Sequence, residues 1–413
     1  MPAPAILGTS RRWSPRYLLY DEFITPDAAP LTSPRTCEPG PGTLAITDTA
    51  SVLSISGGQL TKVPDATSPF MLEDPATFSA GTCIFAVPTL AAGSLTSQAR
   101  IVLQTAAAAN LVQAVDLSVA TVRWGFRVGT GTTNMADPSA TAGVQGTVGI
   151  IVSGSSFVFV FKIVGSVATL MAVFPITGTP GRWLFNATGP ATDGAIVYAR
   201  VGRLDLTIPI NTSIAGTDWS DPYSLAIVKD TLTESAGVLL SAHTPEKGST
   251  WVALLNNFVM DAGGYFIMSG GEARCAMETG ASDVFIIGEL QRTGGAPCVA
   301  FRVVDVDNQW WASRESTISA LYEVTASVIV SRASVSVSND SLVNQVSVRA
   351  SGSDIRVYIR NNAGTYTVGP AYTSSIHQTA TKHGVRANAN SGARIHGFYC
   401  WPIDITNSLP EGL

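Results

Sequence analysis

Between residues 148 and 176 the chain is a near-continuous run of Val, Ile, Phe and Leu, broken by Gly154, Lys162 and Gly165. Its length would suit a membrane-crossing helix of about 20 residues. The interruptions, and the bias toward β-branched and aromatic side chains, point instead to two or three buried strands. Shorter apolar runs recur on either side. In the first half they lie at 42–46, 83–87, 99–103, 121–128, 148–152, 157–164, 167–174 and 201–208. In the second half they lie at 283–290, 299–304, 309–313, 318–324, 342–350, 354–359 and 393–398. Turn signals such as Gly178-Thr179-Pro180-Gly181 separate them, and Ala350-Ser351-Gly352-Ser353-Asp354 reads as a hairpin turn. Residues 355–359 alternate apolar and polar, the mark of a half-buried strand. Many short strands at such spacing predict a sandwich or barrel. Only 106–111 offers a helix, and it reads equally well as a loop.

One phrase occurs twice, about two hundred residues apart. Asp21 opens a strand that is followed by a turn-rich stretch through Arg35 and then by Ile55-Ser56-Gly57-Gly58. Asp230 opens another, followed by His243-Thr244-Pro245 and then by Ser269-Gly270-Gly271. A long-period repeat predicts two copies of one domain. The closing strands also match, 202–206 with 393–398, which suits a jelly roll whose first and last strands pair. The predicted organisation is an N-terminal arm at 1–15, a first domain at 16–215 and a linker at 216–228. A second domain at 229–402 and a tail at 403–413 complete it. The arm carries Arg11, Arg12 and Trp13, residue types enriched at interface hot spots. It reads as an anchor on a neighbouring subunit or as a frayed terminus.

Composition narrows the function classes. Only 13% of residues are charged, about half the usual fraction. Few charges keep strand edges apart, so other subunits are expected to cover them. The net charge of −5 and the absence of a basic cluster exclude phosphate-neutralising nucleic-acid binding. The five scattered cysteines form no CxxC pair and read as buried small hydrophobes. The first residues lack the pattern of a signal peptide, and no membrane insertion is expected.

The second half resembles the concanavalin A-like, laminin-G-type jelly rolls of bacteriophage structural proteins. The resemblance rests on Asp230-Thr231-Leu232-Thr233, Thr250-Trp251, Phe301-Arg302, Asp305-Val306-Asp307-Asn308-Gln309-Trp310-Trp311, Leu321-Tyr322 and Gly384-Val385-Arg386. In the first half it covers mainly the two ends. It implies a virion component of tail, fibre or capsid surface, with sugar or calcium binding in some relatives.

The strongest chemical candidate is the stretch from Arg302 through Asp305, Asp307 and Asn308 to Trp310 and Trp311. Its oxygen side chains suit calcium, and adjacent tryptophans on a strand face opposite ways, so one would be an exposed platform for a sugar. The plainer and weightier reading is an Asp/Asn hairpin turn, with one Trp in the core and the other at an interface. His243, His377, His383 and His396 show no metal-ligand spacing. No alternating-acid strand for glycoside hydrolysis occurs, nor a GxSxG elbow or P-loop.

The expectation is therefore an all-β protein of two tandem antiparallel β-sandwiches, non-enzymatic, in a bacteriophage virion. A tail-associated position touching host-surface glycan comes first, and a capsid-decoration or head-fibre position second. A glycan depolymerase is the rival of a different class. Other virion proteins and copies of itself are the expected partners. No cofactor is expected, calcium being the one option.

Overall fold

A computed structural model of the chain describes residues 17–413, leaving out 28, 63–68, 74–77, 91–97, 120–121, 130–134, 138–145, 155–156, 189–195, 208–216, 269–270, 340, 389–391 and 410–412. Arg11, Arg12 and Trp13 lie outside the described residues. Two sandwiches of antiparallel sheets account for nearly all regular structure. We call the sheet of each domain that faces the other domain medial, and the sheet that faces away lateral.

The first medial sheet runs, strand by strand in space, Val167–Pro175, Phe157–Val164, Thr147–Ser153, Thr82–Leu90, Ile196–Asp205, Gln59–Lys62, Leu53–Ser56. The second runs Tyr366–Thr373, Asp354–Arg360, Val343–Ser351, Val284–Arg292, Ala393–Pro402, Phe266–Met268, Phe258–Met260. The first lateral sheet runs Met135–Asp137, Val122–Val128, Asn110–Val119, Gln98–Thr105, Pro180–Thr188, Phe70–Glu73, Thr43–Thr47, Arg35–Thr36. The second runs Val328–Ser336, Ile318–Thr325, Asn308–Arg314, Pro297–Asp305, Lys382–Ala387, Ala273–Glu278, Val252–Leu255. Except for Arg35–Thr36, each strand has a counterpart at the same place in sequence and sheet. The chain is a duplicated jelly roll.

The repeated aspartate explains how each copy starts. Tyr17–Asp21 and Val228–Asp230 both pair with the closing strand of their own domain. Both carboxylates are fully buried and accept the amide two residues on, from Phe23 or Leu232, at 2.8 Å. That bond holds Phe23 and Leu232 at φ of 54° and 50°. The counterion differs: Arg35 grips Asp21 at 2.7 and 3.2 Å, whereas His243 Nε2 meets Asp230 at 2.8 Å and the Trp251 indole donates to it at 2.7 Å. Burial raises the Asp230 carboxyl above its ordinary value despite its bonds to Trp251, His243 and the Leu232 amide.

The run at 148–176 is three strands, buried on both faces, which is why it reads as continuous rather than alternating. One face joins the first core. The other packs against the medial sheet of the second domain, where Phe285, Ile287, Tyr358, Tyr399 and Trp401 join the same buried cluster. Phe159 meets Trp401 edge-on at 6.2 Å, and Phe174 meets Tyr366 at 5.5 Å. The result is four layers, lateral–medial–medial–lateral. Each large side chain fully buried there contributes roughly 1.5–3 kcal/mol.

The structure adds detail to several expectations. The segment read as a linker is a wedge: Trp219 is 2% exposed, packs on Phe159 and donates to Ser408 O, while Trp401 donates to Pro222 O. The tail lies along the edge of Val167–Pro175, with Leu170 N bonded to Ile403 O and Ile405 N to Ala168 O, and it buries Ile403 and Ile405. Of the second Ser-Gly-Gly phrase, Ser269 and Gly270 lie outside the described residues. Gly57 and Gly58 turn a hairpin at φ of 61° and 74°. Its counterpart is the turn containing Gly263 and Gly264, while Gly271 leads into the lateral strand Ala273–Glu278. The closing strands match in a shifted register, Val201 standing opposite Asp21 where Phe398 stands opposite Asp230. Residues 106–109 form the loop between Gln98–Thr105 and Asn110–Val119, not a helix. All five cysteines are free and buried.

Candidate ligand-binding site

Asp305 and Asn308 pair across the turn joining two lateral strands of the second domain. The Asp305 carboxylate accepts from Asp307 N at 2.7 Å and Asn308 Nδ2 at 3.0 and 3.1 Å, and Asp307 accepts from Ser327 Oγ at 2.7 Å. Both side chains thus spend hydrogen bonds inside the hairpin. Among the described residues no group of three or more His, Cys, Asp and Glu side chains is placed to hold a metal.

Arg302 is not a surface ligand. It sits in a bulge at φ 48°, is fully buried, and clips Ser282 O, Asp283 and Gly352 O. His383 accepts the Arg302 amide on Nδ1 and donates from Nε2 to Ala281 O, and burial pushes its pKa down to about 4. The tryptophans do face opposite ways, but neither is exposed. Trp310 enters the core, 0% exposed, stacked on Phe301 and donating to Ile376 O. Trp311 lies on the outward face, 2% exposed, because the Arg386 guanidinium sits 3.8 Å over its ring and Arg274 lies 5.6 Å from it. The bare aromatic platform, the lesser of the two sequence readings, is therefore absent, and a roofed ring stands in its place.

The roof is an ion network. Glu272 accepts from Arg274 Nε at 2.5 Å and Arg386 Nε at 2.6 Å. Burial works against the Glu272 charge, but the two arginines outweigh it and hold its carboxyl below the ordinary value. Beside the roof, two adjoining clefts of roughly 160 and 300 Å³ share Ala296, Glu315, Tyr322 and Asn388 as lining. Trp311, Ile329 and Arg386 are among the other residues lining the smaller one, and Arg292 among those lining the larger. Glu315 accepts from Tyr322 Oη at 2.7 Å and Ser313 Oγ at 2.9 Å, while Asn388 Oδ1 accepts from Ala296 N at 3.0 Å. Burial and the Glu315 bond push the Tyr322 phenol up to about 12, so it stays an O–H donor. Glu315, Asn388 and Arg386 escaped sequence reasoning. The signal for Arg386 was its place two residues after Gly384 on a strand, hence on the same face.

No family model matches the chain, and no curated protein matches it. Solved structures with partial likeness include a carbohydrate-binding module from Bacillus subtilis, at 11% identity over 37% of this chain and 92% of that one, TM-score 0.27. A Mycobacterium tuberculosis antigen described as a pseudo β-1,3-glucanase aligns at 13% identity over 46% and 98%, TM-score 0.35. A Caenorhabditis elegans galectin aligns at 14% over 35% and 94%, TM-score 0.25. Likeness at this level carries no argument about activity. Among the described residues no helix is long and apolar enough to cross a membrane.

Proposed function

We propose that the protein is a non-catalytic saccharide-binding component of a larger assembly, with its binding cleft on the lateral face of the second domain. The observation that carries this is the convergence of Tyr322, Glu315, Asn388 and Arg386 on two connected clefts beside the roofed Trp311. An apolar wall with a few converging polar groups is the usual make-up of a small-molecule site. Binding is favoured over cleavage because glycoside hydrolysis takes two carboxyl groups, and Glu315 is the one carboxylate lining the clefts among the described residues. The sequence resemblance adds a bacteriophage virion, tail-associated, as the assembly. The edge strand Val328–Ser336, with Val328 and Ile329 more than half exposed, offers a place for a neighbouring subunit.

The test is calorimetric titration of the full chain with bacterial surface polysaccharides and their oligosaccharides, alongside a reducing-end assay. Binding that weakens at least about tenfold in Tyr322→Ala and Glu315→Gln, with no new reducing ends, is expected. Absence of binding, or binding indifferent to both changes, overturns the cleft. Release of oligosaccharide makes the protein a depolymerase instead.

A further inference from the structure

The larger of the two second-domain clefts contains an arginine with no partner among the described residues. Arg292 ends the medial strand Val284–Arg292 and lines the cleft together with Glu315 and Asn388. It is half-buried, and it has no hydrogen bond, ion pair or ring contact. Other arginines of the domain are committed: Arg302 to Asp283, Arg332 to Glu323, Arg356 to Asp354, and Arg394 to the Tyr265 ring. The charges around the clefts do not cancel. Arg274 and Arg386 share the one carboxylate of Glu272. Glu315 spends its bonds on the neutral groups Tyr322 Oη and Ser313 Oγ. Three guanidinium groups therefore stand against two carboxylates.

The donors in the larger cleft point the same way chemically. Asn388 Oδ1 accepts from Ala296 N at 3.0 Å, which leaves the Nδ2 hydrogens as the amide's contribution to a ligand. Arg292 brings up to five N–H groups and no acceptor. A neutral sugar seated here would strip water from Arg292 and return only hydroxyl oxygens, and covering a charge without an opposite one is costly. A carboxylate returns the opposite charge, with two oxygens in one plane that match the guanidinium fork. A dianion such as a phosphate monoester would set its second charge against Glu315 in the same cleft. A singly charged group on the sugar meets both conditions.

We propose that the second-domain cleft takes an acidic saccharide, with Arg292 gripping a sugar carboxylate and Asn388 Nδ2 donating beside it. This rests on the saccharide reading of the cleft and names the class of sugar. The test is calorimetric titration of the full chain with oligogalacturonate and oligosialate, each beside its carboxyl-reduced neutral form. Maltoheptaose, mannohexaose and chitohexaose are titrated alongside as further neutral probes. At least one acidic form is expected to bind about tenfold or more tighter than its reduced form, and added salt should narrow that margin. Arg292→Gln is expected to bring the two forms to equal affinity. The thermal midpoint of that variant should be unchanged, because Arg292 has no bond to lose. Arg292→Lys, which keeps the charge without the fork, should restore part of the preference. Binding of neutral probes alone, equal binding within each pair, or an acid preference that survives Arg292→Gln overturns the inference. If Tyr322→Ala weakens the binding seen in those cases, the saccharide cleft itself still stands. Binding of no probe of either kind overturns the inference and the cleft together.

Discussion

On the lateral face of the second sandwich, a tryptophan is roofed by two arginines that share one glutamate. On the corresponding face of the first, amides and an arginine stand over valines and a leucine with several polar atoms unmatched. The strands beneath are the same strands in the same order. Duplication preserved the alternation that builds the core, because a slipped register would turn every core residue outward. The outward positions answer to no such demand, so the two copies differ there in charge and polarity.

The widest gap between the copies should appear in the buried pairs that start them. Asp21→Asn leaves Arg35 buried and permanently charged, at a cost of about 3–5 kcal/mol. Asp230→Asn leaves His243 still bonded to Glu234, and should cost about 1–2 kcal/mol. Urea unfolding of the two variants decides this, and equal losses would show that the counterion is immaterial. The next contrast is in acid. All four histidines fall in the second half of the sequence, and His383 is buried neutral with a pKa of about 4 against 6.5. Between those values the unfolded chain binds a proton that the folded chain refuses, so stability falls as pH drops from 6.5 to 4. The loss approaches about 3 kcal/mol near pH 4. His383→Gln should flatten that slope, measured by denaturation at each pH, and an unchanged slope would assign it elsewhere. The smallest effect is at the roof. Arg386→Met keeps the bulk but loses the cation over Trp311 and the bond to Glu272, at about 1–2 kcal/mol, with the indole emission shifted. An unshifted emission would mean that the guanidinium does not set the environment of the ring.

Much of the architecture was legible in the chain. Asp21 and Asp230 gave away the duplication because a buried carboxylate that holds a positive φ has few substitutes. The three strands within 148–176 were legible because burial on both faces suppresses alternation. Tyr366–Thr373 was not, since its Gly369 and Pro370 mimic a turn, and a strand near a sheet edge tolerates them. The second glycine phrase misled because the hairpin matching Gly57-Gly58 is turned by the earlier pair Gly263 and Gly264. For the site, Trp311 was legible and its cover was not. Arg274, Glu272 and Arg386 come from other strands, and nothing local in sequence announces that they meet over one ring.

The clip formed by Ile403 and Ile405 on the edge of Val167–Pro175 bears on how the protein is made. A ribosome releases the first sandwich long before residues 399–405 exist. During that interval Leu170, Phe174 and their neighbours lack the cover of the second domain and of the tail, an apolar sheet with an unpaired edge. Exposed apolar surface beside an unpaired strand edge is what makes a partly made chain prone to aggregate.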